Sequence, residues 1–568
     1  MCGIFGYIGK LDADSFLIEG LKNLEYRGYD SAGVAIVDNG KINVVKRAGK
    51  VSELKSELLK NKLAGTLGIA HTRWATHGLP TELNAHPHTD IDKKVTLVHN
   101  GIIENYLELK KEYNLKVVSE ADTEVIAALL AKINGKDNLE KLKKTCELLK
   151  GSYALAVIFS NEPNIIYLAK KESPLMVGES QDKILISSDA NAFRKYCKNF
   201  YILKNNEFAK ISDKKIEFFN KNKKINKQTN KFLNTFNFQN KNKYLMQDEI
   251  LQTPDAIRET AQFFENFKDI KNYFKNIDKI YLVACGTAYH SCLFGKKYLD
   301  FLNVPIFAEI ASEFKYSKPL ITKNTLCIFV SQSGETADTI SCVKKCKCKT
   351  LAITNVPNSS ITFACKKTIL MKAGWERAVA STKAYSCQLL IFYLLKCLLK
   401  EEKPKTKTLV SAAKKYLKTL NIKALALKTL SYEKIMFIGR QGDYITAKES
   451  ALKLKEISYI NCIACPSGEL KHGTLALVDE KTLVILISTQ KSLKAKNDLT
   501  KKEIEARGGT CLIASTEEDA DIKFPSLSRD LMPIISILPF QALACEVSIL
   551  KGYNPDKPRN LSKSVTVE

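Results

Sequence analysis

Two copies of one strand, glycine turn and helix unit occupy the C-terminal half of this 568-residue chain, and they restrict its fold more than any other feature. The apolar run Lys279 to Ala284 leads into Cys285-Gly286-Thr287 and a helical pattern. Lys434 to Ile438 leads into Gly439-Arg440-Gln441-Gly442 and a second one. Each copy then carries a related segment, Ala311-Ser312-Glu313-Phe314-Lys315-Tyr316 in one and Pro466-Ser467-Gly468-Glu469-Leu470-Lys471-His472 in the other. A second apolar strand follows in both, Thr325 to Ser331 and Thr482 to Ser488. Short, continuously apolar strands alternating with helices are the pattern of parallel sheets covered on both faces. The spacing predicts two doubly wound α/β units, at 246–403 and 404–552, with a tail at 553–568.

The N-terminal part reads differently. Alternating strands at Gly33 to Val37, Leu67 to Ala70, Val95 to Val98 and Tyr153 to Phe159, with helices at Asp14 to Asn23 and Thr123 to Ile133, predict a layered α+β domain over 2–213. From Lys214 the chain is dominated by Asn and Lys with no sustained period, so 214–245 is expected to be a surface segment and linker. The apolar stretches Leu389 to Leu399 and Leu531 to Leu550 are too short, or too interrupted by Pro533, Pro539, Gln541 and Glu546, to cross ~30 Å of hydrocarbon. With no basic and apolar leader at the N-terminus, the expectation is a cytoplasmic protein with no membrane span.

Sixteen scattered cysteines suit reduced thiols used in packing. The Cys462/Cys465 pair and the Cys342, Cys346, Cys348 group lack the second pair of a zinc site, so no metal is expected. The formal charge of +26 is spread along the chain without a recognition motif, which predicts only weak, salt-sensitive contact with nucleic acid and no specific binding.

Chemistry concentrates in a few places. Removal of Met1 would leave Cys2 at the terminus, its thiol beside its own α-amine, which can serve as base. Five of seven histidines fall between His71 and His99, around Arg73, Trp74 and the His99-Asn100-Gly101 turn. An Asn side-chain amide and the following glycine can hold an oxyanion, Arg73 can grip a carboxylate and Asp122 an ammonium. In the second half, Ser331-Gln332-Ser333-Gly334-Glu335-Thr336 opens a helix without a Walker lysine, which favours a small phosphate ester. Its counterpart Ser488-Thr489-Gln490-Lys491 lacks the full set, so only the first copy is expected to hold phosphate. Glu449, Lys453 and Glu456 share one helical face, either as surface ion pairs or as a proton shuttle between adjacent sugar carbons. His472 offers an imidazole suited to opening a sugar ring.

Cys2-Gly3-Ile4-Phe5-Gly6, Tyr26-Arg27-Gly28-Tyr29-Asp30-Ser31, the run His71 to Gly78, Asn84-Ala85-His86-Pro87-His88 and His99-Asn100-Gly101 resemble the glutaminase domain of N-terminal-nucleophile amidotransferases. The C-terminal motifs, through Val379-Ala380-Ser381-Thr382-Lys383-Ala384 to the tail at Glu568, resemble the paired sugar isomerase (SIS) domains of the same amidotransferase family. The resemblance covers nearly the whole chain. It implies conversion of fructose 6-phosphate and glutamine to glucosamine 6-phosphate and glutamate, with internal ammonia transfer, no cofactor and a homodimer in which the His472 loop serves the neighbouring subunit.

Residue by residue, it implies Cys2 as nucleophile, Asn100 and Gly101 as oxyanion hole, and Arg73, Trp74, Thr76, His77 and Asp122 around glutamine. His86 matches a position near that site, while His88 and His99 are expected in supporting roles. It implies Thr287, Ser331, Gln332, Ser333 and Thr336 on the sugar phosphate, Val379 and Ser381 near its hydroxyls, Glu456 as isomerising base aided by Lys453, His472 in ring opening and Lys563 as imine-forming lysine. Ala288, Trp375, Arg377, Thr474 and Ser562 depart from the family pattern. As a nucleophile, Lys563 is expected in a desolvated or cationic setting, with the tail packed over the sugar site near Ser333 and Glu456 and near the glutaminase exit. Two rivals are a related SIS enzyme acting on another sugar phosphate, which would lack the glutaminase motifs, and a sugar-phosphate sensor, which would need neither Cys2 nor Lys563.

Overall fold

The computed structural model describes residues 2–74, 78–213, 215–232 and 238–566, and the chain forms two compact units, Met1–Asn234 with Ser564–Glu568, and Thr235–Lys563.

In the first unit, strand alternation builds four layers. Ile4 and Ile8 of strand Gly3–Gly9 enter an apolar layer shared with Val98, Ala154, Ala156 and Leu168, while Phe5 and Tyr7 point to the opposite face. The first layer lies between two antiparallel sheets of the described residues, one of eight strands that includes Gly3–Gly9 and Leu67–Arg73, the other of seven that includes Val95–Ile103 and Gly151–Phe159. Helices Ala13–Leu24 and Val51–Lys60 cover the outer face of the eight-stranded sheet, and Asp122–Lys132 and Asn138–Leu148 that of the other. The pairing of Gly3–Gly9 with Leu67–Arg73 sets Gly3 opposite Thr72, so the N-terminus meets the end of that strand beside Arg73.

The segment expected to be a surface segment and linker carries edge strands of both sheets. Ile216–Asn220 pairs with Glu207–Ile211, Lys223–Ile225 pairs with Ile216–Asn220, and Asn230–Lys231 joins the other sheet. Its Lys and Asn residues sit mostly on exposed positions, while Phe218 is buried opposite Ala209. A few β-formers were enough to hold the edge strands.

In the second unit each repeat forms a five-stranded parallel sheet. The orders are Ile306–Ile310, Lys279–Ala284, Thr325–Val330, Lys349–Thr354, Lys367–Leu370, and Cys462–Pro466, Lys434–Gly439, Thr482–Ser488, Thr510–Ser515, Ile522–Lys523. By sequence both read 2-1-3-4-5, which leaves a crevice outside the carboxyl ends of the first and third strands of each sheet. One apolar core runs through both repeats, with helices Gly286–Leu299, Lys383–Lys400, Gly442–Ser458 and Leu538–Leu550 inside it. The span Met532–Leu550 is long and apolar enough to cross a membrane, in spite of the two prolines and two polar residues that argued against it. These residues form two successive helices, and 72% of the most apolar window is buried inside this unit.

Asp556 ties the tail to this core. Its carboxylate accepts from the amides of Leu245 and Met246, both at 2.8 Å, and its carbonyl accepts from Val379 N at 3.0 Å. Removing a buried acceptor strands its donors, so Asp556→Ala is expected to cost about 1–3 kcal/mol. Hydrogen exchange checks this: the Leu245, Met246 and Val379 amides should lose protection first, and unchanged protection would contradict the role.

Candidate active sites

In the first unit, Cys2 precedes strand Gly3–Gly9 and its sulfur sits against the main chain of Trp74. The thiol donates to Trp74 O at 3.6 Å and Trp74 N donates to the sulfur at 3.4 Å. Burial pushes the thiol up, opposed by the positive chain terminus, the Trp74 amide and Arg73. Asn100 Nδ2 donates to Cys2 O at 3.1 Å. Its Oδ1 lies 3.0 Å from His71 Nε2, which also faces His99 O at 2.9 Å. Both partners of Nε2 are acceptors, so it carries the proton and fixes the Asn100 amide with its NH2 toward Cys2. Gly101 has φ +142°, and a Cβ there would lie 2.0 Å from Ser152 O, so only glycine fits the turn.

Arg73 is buried, with Nη1 donating to Leu79 O at 3.1 Å and Nη2 to Gly78 O at 3.3 Å. Asp122 opens helix Asp122–Lys132, accepts from Ile103 N at 2.8 Å and contributes to the field at both Cys2 and Arg73. The Trp74 ring meets Tyr29 edge-on at 5.7 Å. Cys2, Arg73, Trp74, Asn100, Gly101 and Asp122 are therefore gathered at one end of the two sheets. Thr76 and His77 lie outside the described residues.

The histidines form a buried stack beside this site. His71 and His86 lie parallel at 3.9 Å, His86 meets His88 edge-on at 4.8 Å, and His99 Nδ1 faces Thr123 Oγ1 at 3.0 Å. Burial, the largest cause, lowers His71 to about 3 and holds His86 and His88 well below the ordinary imidazole range. They are neutral hydrogen-bonding and packing groups.

In the second unit, one cavity of about 170 Å³ collects Thr287, Ser331, Gln332, Ser333, Thr336, Val379, Ser381, Lys453, Glu456 and Lys563. It sits at the switch point of the first sheet. Ser331 follows strand Thr325–Val330 and Thr336 caps helix Ala337–Lys345. The turn's hydroxyls bond within it: Ser331 Oγ and Thr336 Oγ1 are 2.9 Å apart, and Ser331 Oγ accepts from Gly334 N at 3.0 Å. The Glu335 carboxylate turns away to accept from Ser360 N and Oγ, which leaves the turn free of an internal negative charge at its mouth.

The second repeat fills the corresponding place with its own carboxylate. Where the first has Thr287 after its helix-opening Gly286, the second has Asp443 after Gly442. Asp443 accepts from Thr489 N at 2.9 Å and Thr489 Oγ1 at 2.5 Å. A turn whose donors are taken by a buried carboxylate has no use for phosphate.

The helical face read from the sequence supplies the floor of the cavity. Lys453, 1% exposed, donates to Glu456 Oε2 at 2.6 Å and Thr287 Oγ1 at 2.9 Å, and lies 3.5 Å from Glu449 Oε1. Burial acts against its ammonium, but Glu456 and Glu449 more than offset it and raise its affinity for a proton. This is no surface ion-pair ladder. Glu449 also accepts from Thr287 Oγ1 at 3.0 Å and pairs with His290 Nδ1 at 2.6 Å. His472 is on an exposed turn and does not line the cavity of its own chain.

The tail closes the cavity through Leu561, Ser562 and Lys563, as expected, with Ser333 and Glu456 on the same walls. Of the two settings expected for Lys563, the structure shows the desolvated one, with its side chain 4% exposed; the group against Nζ is the carboxylate of Glu376, at 2.5 Å. Sequence reasoning gave no role to Glu376, which lies in a loop without period, to Glu249 on the short helix Leu245–Leu251, or to Lys383, quoted only within its motif, at the start of helix Lys383–Lys400. His290, three residues after Thr287 and one of only seven histidines, left a usable signal. The three buried thiols whose sulfurs come within 4.8 Å of one another are Cys327, Cys346 and Cys348. They could hold a soft metal ion, whereas Cys342 donates instead to Ala311 O.

The SIS domain family matches residues 273–396 and 430–523, and the glutamine amidotransferase domain family matches 58–248. Over the full length of both chains, the protein is 43% identical to a glutamine--fructose-6-phosphate aminotransferase [isomerizing] of Clostridium acetobutylicum, 42% to one of Caldanaerobacter subterraneus subsp. tengcongensis and 39% to one of Bacillus subtilis. Among solved structures, the C-terminal domain of glucosamine-fructose-6-phosphate aminotransferase from Francisella tularensis matches at 32% identity and TM-score 0.52, covering 56% of this chain and 98% of that one.

The neutral histidines make the first unit acid-sensitive. Their folded affinity for protons is depressed, so the unfolded chain takes up protons first as pH falls below ~6.5. Each buried imidazole then withdraws about 1.4 kcal/mol of stability per pH unit, down to about pH 3 for His71. Hydrogen exchange of amides in Val95–Ile103 should show protection falling from pH 7 to pH 5; equal protection at both would contradict neutral burial.

Proposed function

The chain belongs to the glutamine--fructose-6-phosphate aminotransferase [isomerizing] family, and from its two sites we propose how it divides the chemistry of that reaction. It is an enzyme that uses glutamine to convert fructose 6-phosphate to glucosamine 6-phosphate, releasing glutamate. In this reading Cys2, freed of Met1, attacks the glutamine side-chain amide with its α-amine as base. Asn100 and Gly101 stabilise the oxyanion, and Arg73 and Asp122 bind the α-carboxylate and α-ammonium. Thr76 and His77 complete that pocket, with Trp74 gating the released ammonia.

Ammonia then reaches the second site internally. The hydroxyls and amides of Ser331 to Thr336, with Thr287, bind the sugar phosphate, and Val379 and Ser381 meet its hydroxyls. Lys563 forms an imine at C2 and ammonia displaces it. Glu456 then moves the proton between C1 and C2, paired at 2.6 Å with the buried ammonium of Lys453. The observation that carries the reading is the single cavity that brings an anion-binding turn, a paired acid and ammonium, and a tail lysine onto one hexose-sized volume. The sugar-phosphate sensor has no use for such a set. Sixteen unpaired cysteines support a cytoplasmic setting.

The halves are separable by mutation. Cys2→Ala should lose glutamate release by a factor of at least 10³ while retaining ammonia-dependent sugar amination; glutamate release at the wild-type rate would refute the nucleophile.

Because His472 stands away from the cavity of its own chain, we propose that it serves the partner in a homodimer. His472→Ala and Lys563→Ala chains, each inactive alone, should recover about a quarter of wild-type synthesis when mixed, since half of the chains pair heterologously and one site of each such pair is intact. No recovery would place both residues in the same chain's site.

A further inference from the structure

Lys563 Nζ and Glu376 Oε2 form an ion pair with side chains 4% and 0% exposed. Glu376 is held from its other sides by Ser381 Oγ at 3.0 Å, Thr382 N at 2.9 Å and Ala384 N at 3.0 Å. A second buried carboxyl, Glu249 of helix Leu245–Leu251, accepts from Arg377 N and Ala378 N through Oε1, while its Oε2 is buried without a hydrogen-bond partner. A bare carboxylate oxygen is costly in such surroundings. Burial first, and the charge of Glu376 second, push Glu249 up and keep it protonated. Burial also acts to push Glu376 up, but the Lys563 ammonium and the Ala384 and Thr382 amides outweigh it and hold it ionised. The other groups facing Glu376 are Lys383, whose Nζ donates to Gln252 Oε1 and Trp375 O, Lys453 from helix Gly442–Ser458, and the Cys387 thiol, which burial keeps neutral.

An ammonium has no lone pair, so Lys563, ion-paired with Glu376, must give up a proton before it can attack a ketone. We propose that Glu376 is the proton-holding partner of Lys563, taking one proton from its ammonium as the lysine turns to the sugar and returning that proton when water leaves. This rests on the assignment of Lys563 as the imine-forming lysine.

The step balances within the cavity. A proton passes from Nζ to the Glu376 carboxylate, and the freed pair forms the N–C2 bond while the carbonyl π pair moves to oxygen. The nitrogen of the adduct then loses its formal charge to that oxygen by proton transfer. The Glu376 acid protonates the C2 hydroxyl, the C–O bond breaks and water departs. The net change is ammonium plus ketone to protonated imine plus water, with Glu376 again ionised. Movement of Lys563 drives the exchange: as the lysine turns away, Glu376 loses its counter-charge and burial favours the neutral acid there.

The test is borohydride trapping of the full-length enzyme with fructose 6-phosphate across pH, with the labelled peptide identified by mass. In wild type the sugar adds to Lys563. In Glu376→Gln the lysine loses its counter-charge, so the pH of half-maximal trapping should move down by at least one unit. The initial trapping rate at the high-pH plateau should fall tenfold or more, because the group that relays the proton to the departing C2 hydroxyl is gone. Binding of a hexitol 6-phosphate, which has no ketone, should stay within about threefold, showing that the pocket is formed.

If that variant does not bind the hexitol phosphate, Glu376→Asp carries the test. Its shorter side chain weakens the pair, so the same two shifts should appear with smaller size. A variant labelled at Lys563 with the wild-type midpoint and plateau would overturn this role for Glu376 alone; absence of label at Lys563 in the wild type would overturn the imine assignment beneath it.

Discussion

The buried ammonium of Lys453 is the interaction on which the sugar site depends. At 1% exposure it is stable only because three groups surround it, and they come from both repeats: Glu449 and Glu456 from its own helix, Thr287 from the helix after the first strand of the other repeat. Removing any one would leave a charge or a donor stranded in the core. The requirement to neutralise Lys453 therefore fixes Gly442–Ser458 against Gly286–Leu299, sets Glu456 at the cavity wall and places Thr287 beside the Ser331 to Thr336 turn. The ion cluster thus supplies part of the cavity wall, through Thr287, Lys453 and Glu456.

The same contact accounts for the inequality of the repeats. Both sheets have one strand order and both present a polar turn at the switch point, so topology alone would permit two anion sites. One side chain decides otherwise. Thr287 leaves the first crevice with a hydroxyl and no charge, whereas Asp443 puts a carboxylate against the Thr489 turn. Burial raises Asp443 to about 6, partly offset by Thr489 and Gln490, so the second turn is satisfied from within.

Much of this was legible because the relevant features are local in sequence. The strand and glycine turns of both repeats, the Ser331 to Thr336 turn and the helical spacing of Glu449, Lys453 and Glu456 all fall within one element or one connection. The structure puts these residues where their spacing points. Tertiary pairing was less visible. Ile216–Asn220 and Lys223–Ile225 look like a polar linker until Glu207–Ile211 offers them an edge. Lys563 could be read as a nucleophile in a desolvated or cationic setting, but its partner Glu376 lies 187 residues away in a loop without period. The depression of Trp74, Arg73 and Cys2 into one corner likewise follows from strand register, which the motifs mark but do not specify.

The most direct measurement of the central claim, that two repeats build one sugar-phosphate site, is a crystal structure with fructose 6-phosphate bound. The account predicts the phosphate on the Ser331 to Thr336 turn, with C2 between Lys563 and Glu456, and no phosphate at Thr489. A sugar phosphate seated on the turn beside Asp443, or one in the first crevice with its C2 turned away from Lys563, would contradict it.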